Sequence, residues 1–164
     1  MADVYDAGEI LAIAERIEEN GVRYYERAAE IVLDPKAQEM LLSLADMERE
    51  HARTFAAMRR EHAEREAPPS AAAPDSDAVK YLRSIADGFL FQPSEDPAEA
   101  LDERIAVREV LRRAITAEKE SIALYVGLRE AVASDADRHR VERIIREEMG
   151  HAAMLSDWLA SQGD

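Results

Sequence analysis

Two Glu-x-x-His patterns lie among the 164 residues, Glu48 to His51 in MEREHARTF and Glu148 to His151 in EEMGHAAML. Each interrupts an apolar run at helical spacing. The first run is Leu41, Leu44, Ala45, Ala52 and Phe55, and the second is Val141, Ile144, Ile145, Ala152, Leu155 and Trp158. A helix presents residues i and i+3 side by side, and neither a carboxylate nor an imidazole is stable alone in a dry core. On a buried face the pair therefore points to metal ligation. One such pair is commonplace on an exposed helix; two in register are not. Two further glutamates interrupt stripes in the same way: Glu18 among Leu11, Ala14, Gly21, Tyr25, Ala28 and Val32, and Glu118 among Leu111, Ala114, Ile115, Ile122, Tyr125, Leu128 and Val132.

Four buried carboxylates without counter-charge would repel one another or take up protons. No Lys or Arg lies within these central stripe segments. Two divalent cations would cancel the four charges, and two imidazoles complete an oxygen-rich site that also offers nitrogen. The expected ligands are Glu18, Glu48, His51, Glu118, Glu148 and His151. Their identity leaves iron, manganese and zinc all open. Tyr25 and Tyr125 are expected as core aromatics whose hydroxyls find some partner, with the ligand carboxylates and a redox relay as further readings. Gly21, one turn after Glu18, either leaves room for an exogenous ligand or allows close helix packing. His62 and His139 fall off the stripes and should be exposed. Trp158 and Met154 either sit at core spacing near the end of the fourth helix or face a partner subunit, and no chemistry is assigned to them.

These residues need four long helices to position them. Ala, Leu, Glu and Arg dominate, Gly and Pro number six each, and no segment alternates with the period of a strand. The class is all-α. The pattern predicts helices over about 5–33, 35–65, 97–133 and 134–161, with Asp34 and Ser134 as N-caps and Pro35 in a first turn. A short helix over Asp77 to about Phe89 sits between APPSAAAP and FQPSEDP. The chain thus reads as one domain, residues 1–164, made of two hairpins (about 5–65 and 97–161) and a crossover (about 66–96). So long a connection can travel the length of a bundle and leave the second and third helices parallel. A shift of 100 residues aligns 11–62 with 111–162 without a gap, matching Glu18, Tyr25, Glu48 and His51 to Glu118, Tyr125, Glu148 and His151. Counted from the caps, the glutamates and histidines all lie roughly 21–26 Å from their turns, so they meet at mid-bundle.

Composition narrows the partners. With 21 Lys+Arg against 35 Asp+Glu the net charge is −14, which excludes nucleic acid and anionic membrane as primary partners. The absence of cysteine excludes disulfides, thiolate zinc sites, iron–sulfur clusters and covalently attached haem. No apolar run has the length of a signal peptide or a membrane span, so a cytoplasmic location is expected.

One Glu from each of two helices and a Glu-x-x-His from each of the other two matches the known pattern of di-iron carboxylate bundles, a match rather than an independent derivation. IEENGVRYYERAA, MEREHARTF, AEKESIALY and EEMGHAAML resemble the four ligand segments of rubrerythrin-like proteins in the ferritin-like superfamily, over about residues 8–60 and 105–160. The resemblance implies a ferritin-like four-helix bundle with one long crossover, two iron ions, Glu48 and Glu148 bridging them, and Glu18 and Glu118 more terminal. It also implies an oxidoreductase acting on peroxide or dioxygen, and a homodimer. An iron-handling ferroxidase or storage protein, or a non-enzymatic metal-stabilised bundle, are the alternatives. Two departures bear on the reaction. Rubrerythrins carry a rubredoxin-like cysteine domain, and without cysteine the reductant must be an external electron-donor protein. They also carry a further glutamate one turn after the third-helix ligand, where this sequence has Ser121. That serine, with the 100-residue repeat, implies a nearly symmetric site.

Overall fold

The computed structural model describes residues 7–65, 77, 96–102 and 105–162. It contains α1 (Ala7–Ile31), α2 (Pro35–Glu64), a single 3-10 turn (Pro97–Ala100), α3 (Val107–Ala131) and α4 (Asp135–Ser161). The fold is all-α, and among the described residues four long helices form a bundle. Among the described residues no helix is long and apolar enough to cross a membrane. The short helix expected from Asp77 to Phe89 lies outside the described residues, apart from Asp77 itself.

Both hairpin turns close as the caps predict, and they close alike. Asp34 Oδ1 accepts from the Lys36 amide at 3.4 Å with Pro35 in the first turn. Ser134 Oγ accepts from the Asp137 amide at 3.0 Å and donates to Asp137 Oδ2 at 2.6 Å. The last carbonyls of the preceding helices are also held in matching ways. Gln38 Nε2 donates to Val32 O at 2.7 Å, and Arg138 Nη1 donates to Val132 O at 3.0 Å. Each bond satisfies an acceptor that a helix end leaves without an intrahelical partner.

Contacts between hairpins set the directions. Tyr24 Oη donates to Val110 O at 2.7 Å, placing the end of α1 against the start of α3. Arg140 pairs with Glu61 at 2.9 Å and Arg65 with Asp137 at 3.0 Å, placing the end of α2 against the start of α4. Both of these pairs run antiparallel, so α2 and α3 run parallel, as a long crossover allows. Around the bundle α1 neighbours α2 and α3, while α4 neighbours α3 and α2.

One boundary differs from the sequence expectation. The third long helix begins at Val107, not near Pro97. Asp96 caps the turn at Pro97–Ala100 through the Ala98 amide at 3.0 Å, but the backbone is extended again at Leu101. Leu101 is 3 % exposed and packs with Tyr24, Ala28 and Leu111. Burying a leucine stabilises by about 1.5–3 kcal/mol, enough to override helix propensity in a short run. No Gly or Pro marks the break, and the α3 N-cap, Ala106, offers no side-chain acceptor.

The core has two apolar halves. One gathers Tyr24, Tyr25, Ala28, Leu41, Leu44, Leu111 and Ala114. The other gathers Leu11, Ala14, Phe55, Leu124, Tyr125, Leu128, Val141 and Ile144. A 100-residue shift exchanges them, which makes the repeat an approximate two-fold axis through mid-bundle. Met154, expected at core spacing, is 40 % exposed, while Trp158 packs at the edge of the first half.

Candidate metal centre

Between the two apolar halves lie the six side chains singled out in the sequence. Glu18, Glu48, His51, Glu118, Glu148 and His151 are each between 1 % and 4 % exposed. Every helix contributes. α1 brings Glu18, α3 brings Glu118, and α2 and α4 each bring a Glu and a His one turn apart. The stripe that buries each helix carries these groups inward with it. Polar burial here is thus a consequence of apolar periodicity.

The six form two overlapping quartets. Glu18, Glu48, His51 and Glu148 each offer an atom within 4.8 Å of the others, and so do Glu48, Glu118, Glu148 and His151. Glu48 and Glu148 belong to both, the position a bridging pair must hold. Both imidazoles turn Nδ1 to the carboxylates. His51 Nδ1 lies 2.9 Å from Glu148, 3.5 Å from Glu18 and 3.9 Å from Glu48. His151 Nδ1 lies 3.1 Å from Glu48, 3.1 Å from Glu148 and 3.7 Å from Glu118. The two rings stack across the axis with centroids 5.7 Å apart.

The tyrosines bond across the bundle. Tyr25 donates to Glu118 Oε1 and Tyr125 donates to Glu18 Oε1. Each hydroxyl therefore holds a glutamate of the other repeat, and burial pushes both phenols well above their usual range. Gly21 lies so close to Glu48 that an added Cβ would sit 3.3 Å from its Cγ and Oε2.

Electrostatics supports a cation site. Burial, then repulsion from neighbouring carboxylates, pushes Glu48 well up and Glu148 to about 8. Burial alone would also raise Glu118, but hydrogen bonds with Glu148 and His151 outweigh it and hold that carboxyl low. Burial disfavours the charged imidazoles, yet hydrogen bonds to carboxylates prevail, raising His51 to about 11 and His151 to about 9. Even so, these contacts leave Glu18 Oε2, Glu48 Oε1, Glu148 Oε1 and His51 Nδ1 without a well-aligned hydrogen bond, and His151 Nε2 is buried with no partner among the described residues. Such orphans cost about 1–3 kcal/mol each, and more when charged. Clustered hard oxygen donors with two imidazole nitrogens fit divalent transition ions.

A family model described as Rubrerythrin matches residues 9–159. The chain belongs to the rubrerythrin family. Among solved structures, it aligns with one described as a ferritin-like diiron-carboxylate protein from Thermotoga maritima. The TM-score is 0.72 and the identity 25 %, over 99 % of this chain and 100 % of that chain. The bundle is thus ferritin-like. No curated protein matches the chain.

Other residues of this rubrerythrin-family chain fall where the stripes imply, with small exceptions. His139 is exposed and His62 is half-buried rather than exposed, and neither joins the cluster. Glu15 and Glu142 pair at the surface with Arg59 and Arg146. One residue beside the cluster was not anticipated. His51 Nε2 lies 2.8 Å from Glu147 Oε2, a side chain that is 44 % exposed. The available signal was a mismatch in the repeat, because the position corresponding to Glu147 is Met47.

Proposed function

We propose that the protein is a di-iron oxidoreductase that passes electrons to peroxide or dioxygen, with Glu18, Glu48, His51, Glu118, Glu148 and His151 as the ligands. The observation that carries this reading is the pair of quartets sharing Glu48 and Glu148. A lone metal in one quartet would leave two of the six side chains unmatched. Two iron ions held there would supply the electrons for reduction of the oxidant.

The residues of the chain do the rest. Glu48 and Glu148 would serve both metal positions, while Glu18 and Glu118 would each serve one. Tyr125 and Tyr25 hold the second oxygens of those terminal carboxylates, fixing which oxygen faces inward. The apolar halves above and below exclude bulk water, which strengthens every charge interaction inside. These 164 residues contain no cysteine and so hold no cysteine-bound iron; in this reading an external electron-donor protein supplies the reducing electrons.

Metal content tests the assignment. About two metals per chain are expected. Glu48→Ala and His151→Ala should each lower occupancy sharply, whereas His62→Ala and Glu142→Ala should leave it unchanged. Full occupancy in a Glu18→Ala/Glu118→Ala double variant would sink the ligand set. Stopped-flow oxidation of the ferrous protein by peroxide and by dioxygen then tests the reaction.

A further inference from the structure

The six ligand side chains obey the two-fold repeat, but the groups behind the two histidines do not. His51 Nε2 meets the Glu147 carboxylate at 2.8 Å. The position that the repeat matches to Glu147 is Met47, a partly buried side chain that packs against the apolar core and has no carboxylate to offer an imidazole. His151 Nε2 is buried with no hydrogen-bond partner among the described residues.

From this difference we infer that the two metal positions are unequal, with Glu147 making the half built on His51 the tighter one. The inference rests on the di-metal reading given above. When an imidazole binds a metal through Nδ1, its remaining proton is on Nε2. A carboxylate at Nε2 fixes that tautomer, holds the ring in place and makes Nδ1 a stronger donor; losing such a partner typically lowers metal affinity about 10–100-fold. Glu147 does this for His51. At His151 the same proton sits on a buried nitrogen without an acceptor, an arrangement that opposes binding. Glu147 is also accessible. It lines, with His51, Met47, Asp46, Arg49 and Arg53 among others, an open depression of about 600 Å³ on the α2–α4 face.

Glu147 is a positioning residue in this scheme, and stepwise loading is its signature. Metal-free protein titrated anaerobically with Co²⁺, followed by visible absorption and by calorimetry, should bind two ions in two steps, with dissociation constants at least about tenfold apart. His51→Ala should abolish the tight step and His151→Ala the weak one. Glu147→Ala should weaken the tight step about 10–100-fold, so that the two merge, with circular dichroism and melting unchanged. Glu147→Gln keeps an acceptor without the charge and should recover part of the loss. Two equal steps in the wild type, or a tight step that survives His51→Ala, would overturn the inference while leaving a two-metal site intact. Failure of the wild type to take up any Co²⁺ would overturn the di-metal reading, and this inference with it.

Discussion

Ser121 is buried one turn after Glu118 and lines a small cavity with Gly21, Tyr25, Glu48 and Glu118. In rubrerythrin-like sites a further glutamate at this position competes with a histidine for one metal; a serine hydroxyl is too short to do so. The ligands should then stay the same in both oxidation states. Ferrous protein is expected to oxidise with peroxide and with dioxygen at comparable rates, and Ser121→Glu to shift the preference toward peroxide. Far faster oxidation of the wild type by peroxide would show that this position does not decide the oxidant. The tyrosines make a second residue-level prediction. Tyr25→Phe leaves Glu118 Oε1 buried without its donor. Urea unfolding of the metal-free variant should reveal a loss of about 1–3 kcal/mol. An unchanged midpoint and slope would mean that the bond contributes nothing.

At the scale of the helices, the hairpin turns keep the site in register. Glu18 and Glu48 face each other only if the turn between α1 and α2 has its present length, and the same holds for Glu118 and Glu148 across the second turn. The two caps differ in quality. Ser134 makes two bonds at normal lengths, whereas Asp34 reaches its amide only at 3.4 Å. Ser134→Ala should therefore cost about 1–2 kcal/mol, and Asp34→Ala about 0.5 kcal/mol. Thermal or urea unfolding of both variants checks the order; an equal or inverted pair would show that capping geometry does not set these contributions. The late start of α3 has a similar origin. Leu101 leaves the helix to fill the core beside Tyr24, a choice made by packing rather than by propensity.

Across the whole molecule, protons and metal ions compete for one buried cluster. In the metal-free protein His51 is raised to about 11, His151 to about 9 and Glu148 to about 8, and Glu48 is raised as well. A raised folded value means that the contribution to stability is complete below the ordinary value, 4.5 for glutamate and 6.5 for histidine, and is lost as pH climbs through the folded value. Glu118 runs in the opposite direction. The metal-free bundle should accordingly lose this cluster's contribution between neutral and alkaline pH. Metal binding has the reverse dependence, because the ligands must first be deprotonated. The gap in melting temperature between Zn²⁺-loaded and chelator-treated protein should therefore widen from about pH 6 to about pH 9. A constant gap would show that protons and metal do not share these groups.

The sequence by itself determined the helical class, the six buried polar side chains and their common level. Those features follow from local periodicity and from caps, which act within one helix or one turn. The 100-residue spacing added the two-fold relation before any contact was known. The tertiary structure decided what each group touches across the bundle. That Tyr25 serves Glu118 and Tyr125 serves Glu18 depends on the stagger of α1 against α3, which no pattern within either helix contains. That Glu147 reaches His51 depends on the rotation of α4 against α2, and in sequence Glu147 is one more solvated acid beside a ligand. The difference is physical: a stripe specifies which face of a helix turns inward, while packing between helices specifies how far each slides and turns against its neighbour.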